Sequence, residues 1–471
     1  MRSSGKVQLQ SLHIDKFKLI EKSDVIFVPE GGYPEYYYHY FDKNNFTILV
    51  GENGNGKTTL MSFIVNVFHN LQRFHNRIYS DFCLKYRIHK KMVTLEKESE
   101  NVYITVEGCV PKSLLIEFDP KRGYVLKKNK RNFENKVTYD EIKMYLPTNV
   151  ITSVFSMHGE YPMERPSHFI GERIVHRYNI SDIYGINHFN FSSLSKGIRR
   201  FLEMYSKNGK IIDDLLELLN LRFCKEVVVR LRERPKWGYE SEDEAKKHKK
   251  RISLVESFVN SNMVEEDNGK ILKLNENTYR ELIEYEEEKL LYLNDIFFEK
   301  NGSIVCLDNM SSGEKMFFIR VFSLLASIEN NSLIIIEEPE LHLNPSWTKQ
   351  IITMLQMLFS SYQAHFVIST HSYSFINTVF PENIIFARDK QFINLDSNVN
   401  TFLANEVEIN NIFFANSKKL NYVEDKLWKR IQNRDIDEIE NILGYLGESY
   451  TKFQLFNIWM EKRGVSEDVE S

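Results

Sequence analysis

Gly51-Glu52-Asn53-Gly54-Asn55-Gly56-Lys57-Thr58 is the run that decides the fold of this chain. It fits the pattern GxxxxGK[ST]. An apolar stretch, Phe46-Thr47-Ile48-Leu49-Val50, precedes it, and Leu60, Phe63, Ile64, Val67 and Phe68 follow at helical spacing. A buried strand, a glycine turn and a helix from Thr58 to Arg73 form a setting in which backbone N–H groups converge on phosphate oxygens. The helix N-terminus adds partial positive charge at the same point. In such a loop Lys57 neutralises the outer phosphates, and the Thr58 hydroxyl is placed to ligate Mg2+. Asn53, Gly54, Asn55, Gly56 and Thr59 complete the cradle. The alternative is a chance glycine loop, and the order of the later motifs argues against it.

Leu333-Ile334-Ile335-Ile336-Glu337-Glu338-Pro339 is an apolar strand that delivers two acids at its C-terminal edge, where parallel sheets bind ligands. Glu337 stands where an acid helps to hold the metal shell. Glu338 stands where a general base would polarise water. An ordinary strand ending in solvated acids is the plainer reading of this run alone. Met310-Ser311-Ser312-Gly313-Glu314-Lys315 opens a helix from Ser312 to Ile328 and makes a second anion site. Ser312 followed by Lys315 is no capping box, so a cap alone does not explain the run. Finally, Phe366-Val367-Ile368-Ser369-Thr370-His371-Ser372 is a buried strand that ends in a histidine.

Four motifs in this order resemble the ABC-type ATPases, closest to the SMC/RecF-like branch (the AAA_15/AAA_21, OLD-like group). The resemblance covers about 7–73 and 300–390 well and the middle poorly. It implies an α/β fold: an ABC-type head with a mixed parallel sheet and N-terminal antiparallel strands, carrying a helical insertion and a helical C-terminal segment. It implies ATP and Mg2+ as ligands, with Lys57, Glu338 and His371 catalytic. Thr58 and Glu337 would hold the metal, and Ser311, Ser312, Gly313 and Glu314 would touch nucleotide across a dimer. With one P-loop and one signature per chain, two copies complete two sites, as a homodimer of heads or a higher oligomer. Glutamate replaces the usual aspartate at 337. The family's glutamine loop is not evident; His158 or Glu160 could replace its glutamine, and a solvated loop is the simpler account.

The Glu-Glu-Pro-Glu-Leu-His-Leu-Asn-Pro run is foreign to transporter ATPases and resembles stand-alone bacterial ATPases of phage defence. Val150 to Pro162 and Leu443-Gly444-Tyr445-Leu446-Gly447-Glu448-Ser449-Tyr450 resemble, more loosely, PtuA, the ATPase of Septu and of some retron systems. That resemblance implies slow ATP hydrolysis that gates a separate HNH-type nuclease. Two rivals share the motifs: a PARIS-like ATPase holding a TOPRIM effector, and a RecF-like DNA-repair ATPase. A scaffold that binds ATP without turnover is a third. Glu424 and Asp435-Ile436-Asp437 lie too close together for a TOPRIM metal site and suit a solvated helical face; an HNH signature is also absent.

A length of 471 residues suggests roughly two to four units. The pattern divides into 1–165, an N-terminal lobe with the P-loop; 166–300, a helical insertion; 301–395, a C-terminal lobe; and 396–471, a helical segment that binds a partner. Leu215–Leu231 and Tyr279–Leu293 read as the clearest helices, and Arg232–Arg251 as a polar loop. No heptad repeat persists, so any arm is short. A net charge of −4 gives no global pull on nucleic acid. Non-specific contact would need Lys127-Lys128-Asn129-Lys130-Arg131 or Lys246-Lys247-His248-Lys249-Lys250-Arg251, and a solvated charged face explains either run as well. Cys83, Cys109, Cys224 and Cys306 lack CxxC spacing and read as reduced thiols. There is no signal peptide and no apolar run near the roughly 20 residues of a membrane span, so a cytoplasmic protein without a membrane partner is expected.

Overall fold

The computed structural model describes residues 7–29, 32–35, 37–41, 44–72, 80–99, 101–113, 116–119, 123–126, 137, 139–154, 161, 175–179, 191–232, 242–266, 269–395, 399–405, 409, 413, 422–431, 436–447 and 450–463. The chain divides into two units, 1–413 and 414–471.

The first unit is built on a seven-stranded sheet. Its order is Val175–Asn179, Val150–Val154, Ser332–Glu337, Ala364–Thr370, Asn45–Val50, Ile384–Arg388 and Gln391–Asn394, with only the last strand antiparallel. Every residue of the three middle strands is buried. This is why they read as unbroken apolar runs rather than alternating ones. Phe366 lies opposite Phe46 in the register, and their rings stack at 5.0 Å. The helix Lys57–Gln72 buries Leu60, Phe63, Ile64, Val67 and Phe68 completely. Each such side chain contributes roughly 1.5–3 kcal/mol.

A second, antiparallel sheet runs Ser23–Ile26, Gln8–Ile14, Phe82–Ile88, Lys91–Glu98, Asn101–Val106 and Lys112–Ser113. Its alternating burial matches the expected N-terminal strands. His365 ties the two sheets together. Its Nδ1 accepts the Leu9 N–H at 3.0 Å, which leaves the ring proton on Nε2, 2.9 Å from Thr47 Oγ1.

The middle of the chain is not purely helical. A five-stranded antiparallel sheet lies there, ordered Met263–Glu266, Gly269–Lys273, Arg222–Leu231, Leu291–Lys300 and Ser303–Cys306. This corrects two expected helices. The first ends at Leu218, where Asn220 takes a left-handed φ of 55°, and the segment beyond it is a strand. The second spans Glu276–Glu287, after which Lys289, at φ 59°, turns the chain into the strand Leu291–Lys300. The expected polar loop is also corrected: its later part, from 242, belongs to the helix Glu242–Asn262, and 233–241 lie outside the described residues. Lys246, Lys247, Lys249 and Lys250 are exposed on that helix, while Arg251 pairs with Glu288. The other basic run, 127–131, lies outside the described residues.

The second unit comprises the helices Tyr422–Ile431, Ile436–Tyr445 and Tyr450–Arg463. Ile431, Ile439 and Leu455 form its small core, and the Arg463 guanidinium lies 4.4 Å from the Trp459 ring centre. Glu424 and Asp437 fall on its first and second helices, and Asp435 lies outside the described residues. Among the described residues no helix is long and apolar enough to cross a membrane.

Candidate nucleotide site

The strand register brings the motif ends together. Glu337 pairs with Ser369, Ser369 with Leu49, and Thr370 with Val50. The glycine turn, the two acids and the histidine therefore leave the sheet at one C-terminal edge. Gly54 and Gly56 take φ of 83° and 88°, the backbone that curls the loop and that side chains resist. Lys57 is 6% exposed, and its ammonium donates to the carbonyls of Gly51 at 2.7 Å and Glu52 at 3.0 Å. Burial pushes its pKa down to about 8, opposed by the charges of Glu338, Glu340 and Glu337. Asn53 and Gly54 are exposed, Asn55 and Thr58 half-buried, and Gly56 and Thr59 buried.

Glu337 is buried at the strand end and accepts the Tyr161 hydroxyl at 2.8 Å. Arg320, also buried, donates to the Glu337 carbonyl at 3.3 Å, and burial lowers its guanidinium to about 10. Glu338 follows at φ 38°, an uncommon conformation for a side-chain-bearing residue. Its N–H donates to Ser369 O at 2.9 Å and so extends the strand pairing by one residue. His371 Nε2 stands 3.1 Å from Glu338 Oε1 but off the line of a hydrogen bond. This buried nitrogen has no hydrogen-bond partner among the described residues. The imidazole, with Lys57 beyond it, holds the Glu338 carboxyl below the usual range against the upward push of burial. The group is therefore ionised at neutral pH and can accept a proton.

The signature run starts the helix Ser312–Ser327, with Ser311 as its cap. A capping box is present one residue before the Ser312 and Lys315 pair that does not make one, between Ser311 and Glu314. Ser311 N and Oγ both donate to Glu314 Oε2, at 3.2 and 2.8 Å. Lys300 pairs with the same carboxylate. Burial pushes Glu314 upward, but Lys300 and Ser311 outweigh it and hold the group below the usual range. Gly313 is buried, and a Cβ there would stand 2.0 Å from the His342 carbonyl oxygen, so glycine is required by packing within its own chain. Ser311 and Ser312 are exposed. Among the described residues, 311–314 make no hydrogen bond to the P-loop of the same chain. The structure thus joins Lys57, Glu337, Glu338 and His371 and leaves the signature apart from them.

Three residues of the site escape the sequence reading. Tyr161 follows His158 and Glu160, the two candidates for the missing glutamine, which themselves lie outside the described residues. Arg320 is the lone charge in Phe317-Phe318-Ile319-Arg320-Val321-Phe322, and an isolated charge in a buried helix signals an internal polar partner. Glu340 accepts hydrogen bonds from Thr370 and His371.

The donor set suits a phosphate-bound magnesium ion. Such an ion keeps several waters and takes one or two protein oxygens beside the phosphates. Thr58 and Glu337 offer a hydroxyl and a carboxylate, and among the described residues no three His, Cys, Asp or Glu gather as a self-sufficient cage.

A family profile described as an AAA domain, putative AbiEii toxin, Type IV TA system, matches residues 203–377. The match takes in the signature, the paired acids and His371 and leaves out the P-loop. The Retron Vc95 probable ATPase of Vibrio cholerae serotype O1 biovar El Tor is 25% identical over 381 residues, 73% of this chain and 68% of that protein. The Retron Ec83 probable ATPase of Escherichia coli is 25% identical over 149 residues, only 26% of its own length. Among solved structures, the SMC head domain from Thermotoga maritima aligns over 83% of this chain and 99% of its own, at 12% identity and a TM-score of 0.36.

Proposed function

We propose that this chain, an ABC-type ATPase of the SMC/RecF-like, retron-associated group, hydrolyses ATP between two head-to-tail copies and thereby gates a separate effector nuclease in antiviral defence. The observation that carries the hydrolytic part is the 3.1 Å approach of His371 to Glu338, each just past the end of one of two adjacent parallel strands, beside a buried Lys57. Glu338 takes a proton from water as the water oxygen bonds to the γ-phosphorus. The bond to the bridging oxygen breaks, and ADP carries away the released electron pair. Lys57 and the curled loop hold the phosphates. Thr58 and Glu337 would hold Mg2+, which when bound neutralises phosphate charge. The Nε2 of His371, buried and 3.1 Å from Glu338 Oε1, is the group to meet the γ-phosphate.

Ser311 and Ser312, exposed and unlinked to their own P-loop, supply the second anion site to the partner copy. The defence setting rests on the likeness to the retron ATPases. An HNH-type nuclease of the Septu kind is the effector we favour, on the sequence resemblance quoted above. The exposed lysines of Glu242–Asn262 are where non-specific nucleic-acid contact would occur. The test is co-purification of the tagged chain expressed with its neighbouring genes. A stoichiometric HNH protein supports the reading. A TOPRIM protein transfers it to a PARIS-like complex, and a chain that elutes alone removes nuclease gating in favour of a repair-type ATPase.

Lys57 yields a pH prediction with two opposite signs. Its folded pKa, about 8, lies below the ordinary lysine value. The nucleotide-free protein therefore bears a cost of burying the ammonium below pH 8, relieved as pH rises through 8 toward the unfolded value. Relative to Lys57→Met, wild-type melting temperature should climb between about pH 8 and 10 while its ATP affinity falls, by up to about tenfold per pH unit above 8. Thermal melts and equilibrium nucleotide binding across that range check both. Parallel melting curves for the two proteins would refute the assignment.

A further inference from the structure

We infer that Glu340 is a positioning residue for nucleotide hydrolysis, clamping the turn that carries His371 to the turn that carries Glu338; this rests on the ATPase reading above. One oxygen, Oε1, accepts the Thr370 hydroxyl at 2.6 Å and the His371 backbone N–H at 2.9 Å. Thr370 Oγ1 in turn accepts the Ser372 N–H at 2.9 Å. A single carboxylate oxygen thus fixes three consecutive residues, with His371 at their centre. Bonds to a charged acceptor are about twice as strong as neutral ones. The clamp is two residues beyond Glu338, so the acid and the imidazole are held from both sides of their 3.1 Å approach.

The other oxygen, Oε2, is buried and has no hydrogen-bond partner among the described residues. Arg320 and Lys57 lie within electrostatic reach of Glu340, in the same cluster as Glu337 and Glu338. Holding reacting groups in place is worth large rate factors, and a misplacement of about 1 Å costs roughly a hundredfold.

The test is steady-state ATP hydrolysis by the full chain carrying Glu340→Ala, Glu340→Gln or Thr370→Val. Glu340→Ala should lower kcat by about tenfold to a hundredfold and leave the KM for ATP within about twofold. Glu340→Gln, whose amide oxygen can accept the same two bonds, should recover most of kcat. Thr370→Val, which retains only the backbone bond, should fall between them. Wild-type kcat in Glu340→Ala, equal losses in Ala and Gln, or a loss confined to KM would overturn the inference. Should Glu340→Ala fail to fold, wild-type kcat in Thr370→Val overturns it equally. A wild-type chain that turns over no ATP removes the ATPase reading itself. Turnover that stops in Glu338→Gln but continues unchanged in Glu340→Ala removes only the role of Glu340.

Discussion

Glu338→Gln should lower ATP turnover by about a hundredfold to ten-thousandfold, the range a general base commands, and leave nucleotide binding intact. The amide matches the carboxylate in shape but cannot take a proton. It keeps the neighbour His371 at 3.1 Å and the backbone bond to Ser369, so nothing in the fold gives way. Because the substrate would be held but not consumed, the two-chain form should accumulate with ATP and Mg2+. Phosphate release and light scattering on a sizing column read the two effects. Hydrolysis at the wild-type rate would take Glu338 out of the role. Lost turnover without a larger species would leave the base in place and remove the dimer.

Arg320→Ala should cost roughly 1–3 kcal/mol of folding stability, the loss of a buried hydrogen bond made by a charged donor. The guanidinium is buried in the helix behind the signature, with the Glu337 carbonyl at 3.3 Å and the charges of Glu340 and Glu337 around it. Its removal leaves the Glu337 carbonyl without this donor and takes one of two cations, the other being Lys57, from beside Glu337 and Glu340. Arg320→Lys keeps the charge but loses the planar fork and should recover only part of the loss. Denaturant unfolding measures all three proteins; a change below about 1 kcal/mol for Arg320→Ala would mean that water already compensates these acids.

The parts of this molecule that could be read directly from the sequence are those where chemistry leaves little choice of residue. The loop from Gly51 to Thr58 needs glycine backbone, a cation and a hydroxyl. The central strands are buried on both faces, so Leu333–Ile336 and Phe366–Ile368 betray themselves by the absence of alternation. Misreading set in where two periods meet. Leu215, Leu216 and Leu219 are apolar at helical spacing, and Phe223, Val227 and Val229 at strand spacing, with only Asn220 to mark the change. An asparagine in the left-handed region just past a helix, followed by Val227-Val228-Val229, is a stop signal and a strand signal in succession. Glu340 and Arg320 were hidden for another reason: their partners lie far along the chain, and no local spacing announces a pair that only the fold assembles.

The long helix Phe191–Leu218 lies against the helix Ser312–Ser327, and at Gly197 the two touch backbone to backbone. A Cβ at Gly197 would stand 2.2 Å from the Phe322 carbonyl oxygen. The Phe201 and Phe322 rings pack beside that crossing, so a tilt of the part of the long helix before its break at Asn208 bears directly on the helix whose cap and first turn hold Ser311 and Ser312. A protein that grips the middle of this chain would thereby have a hand on the second anion site without approaching the nucleotide.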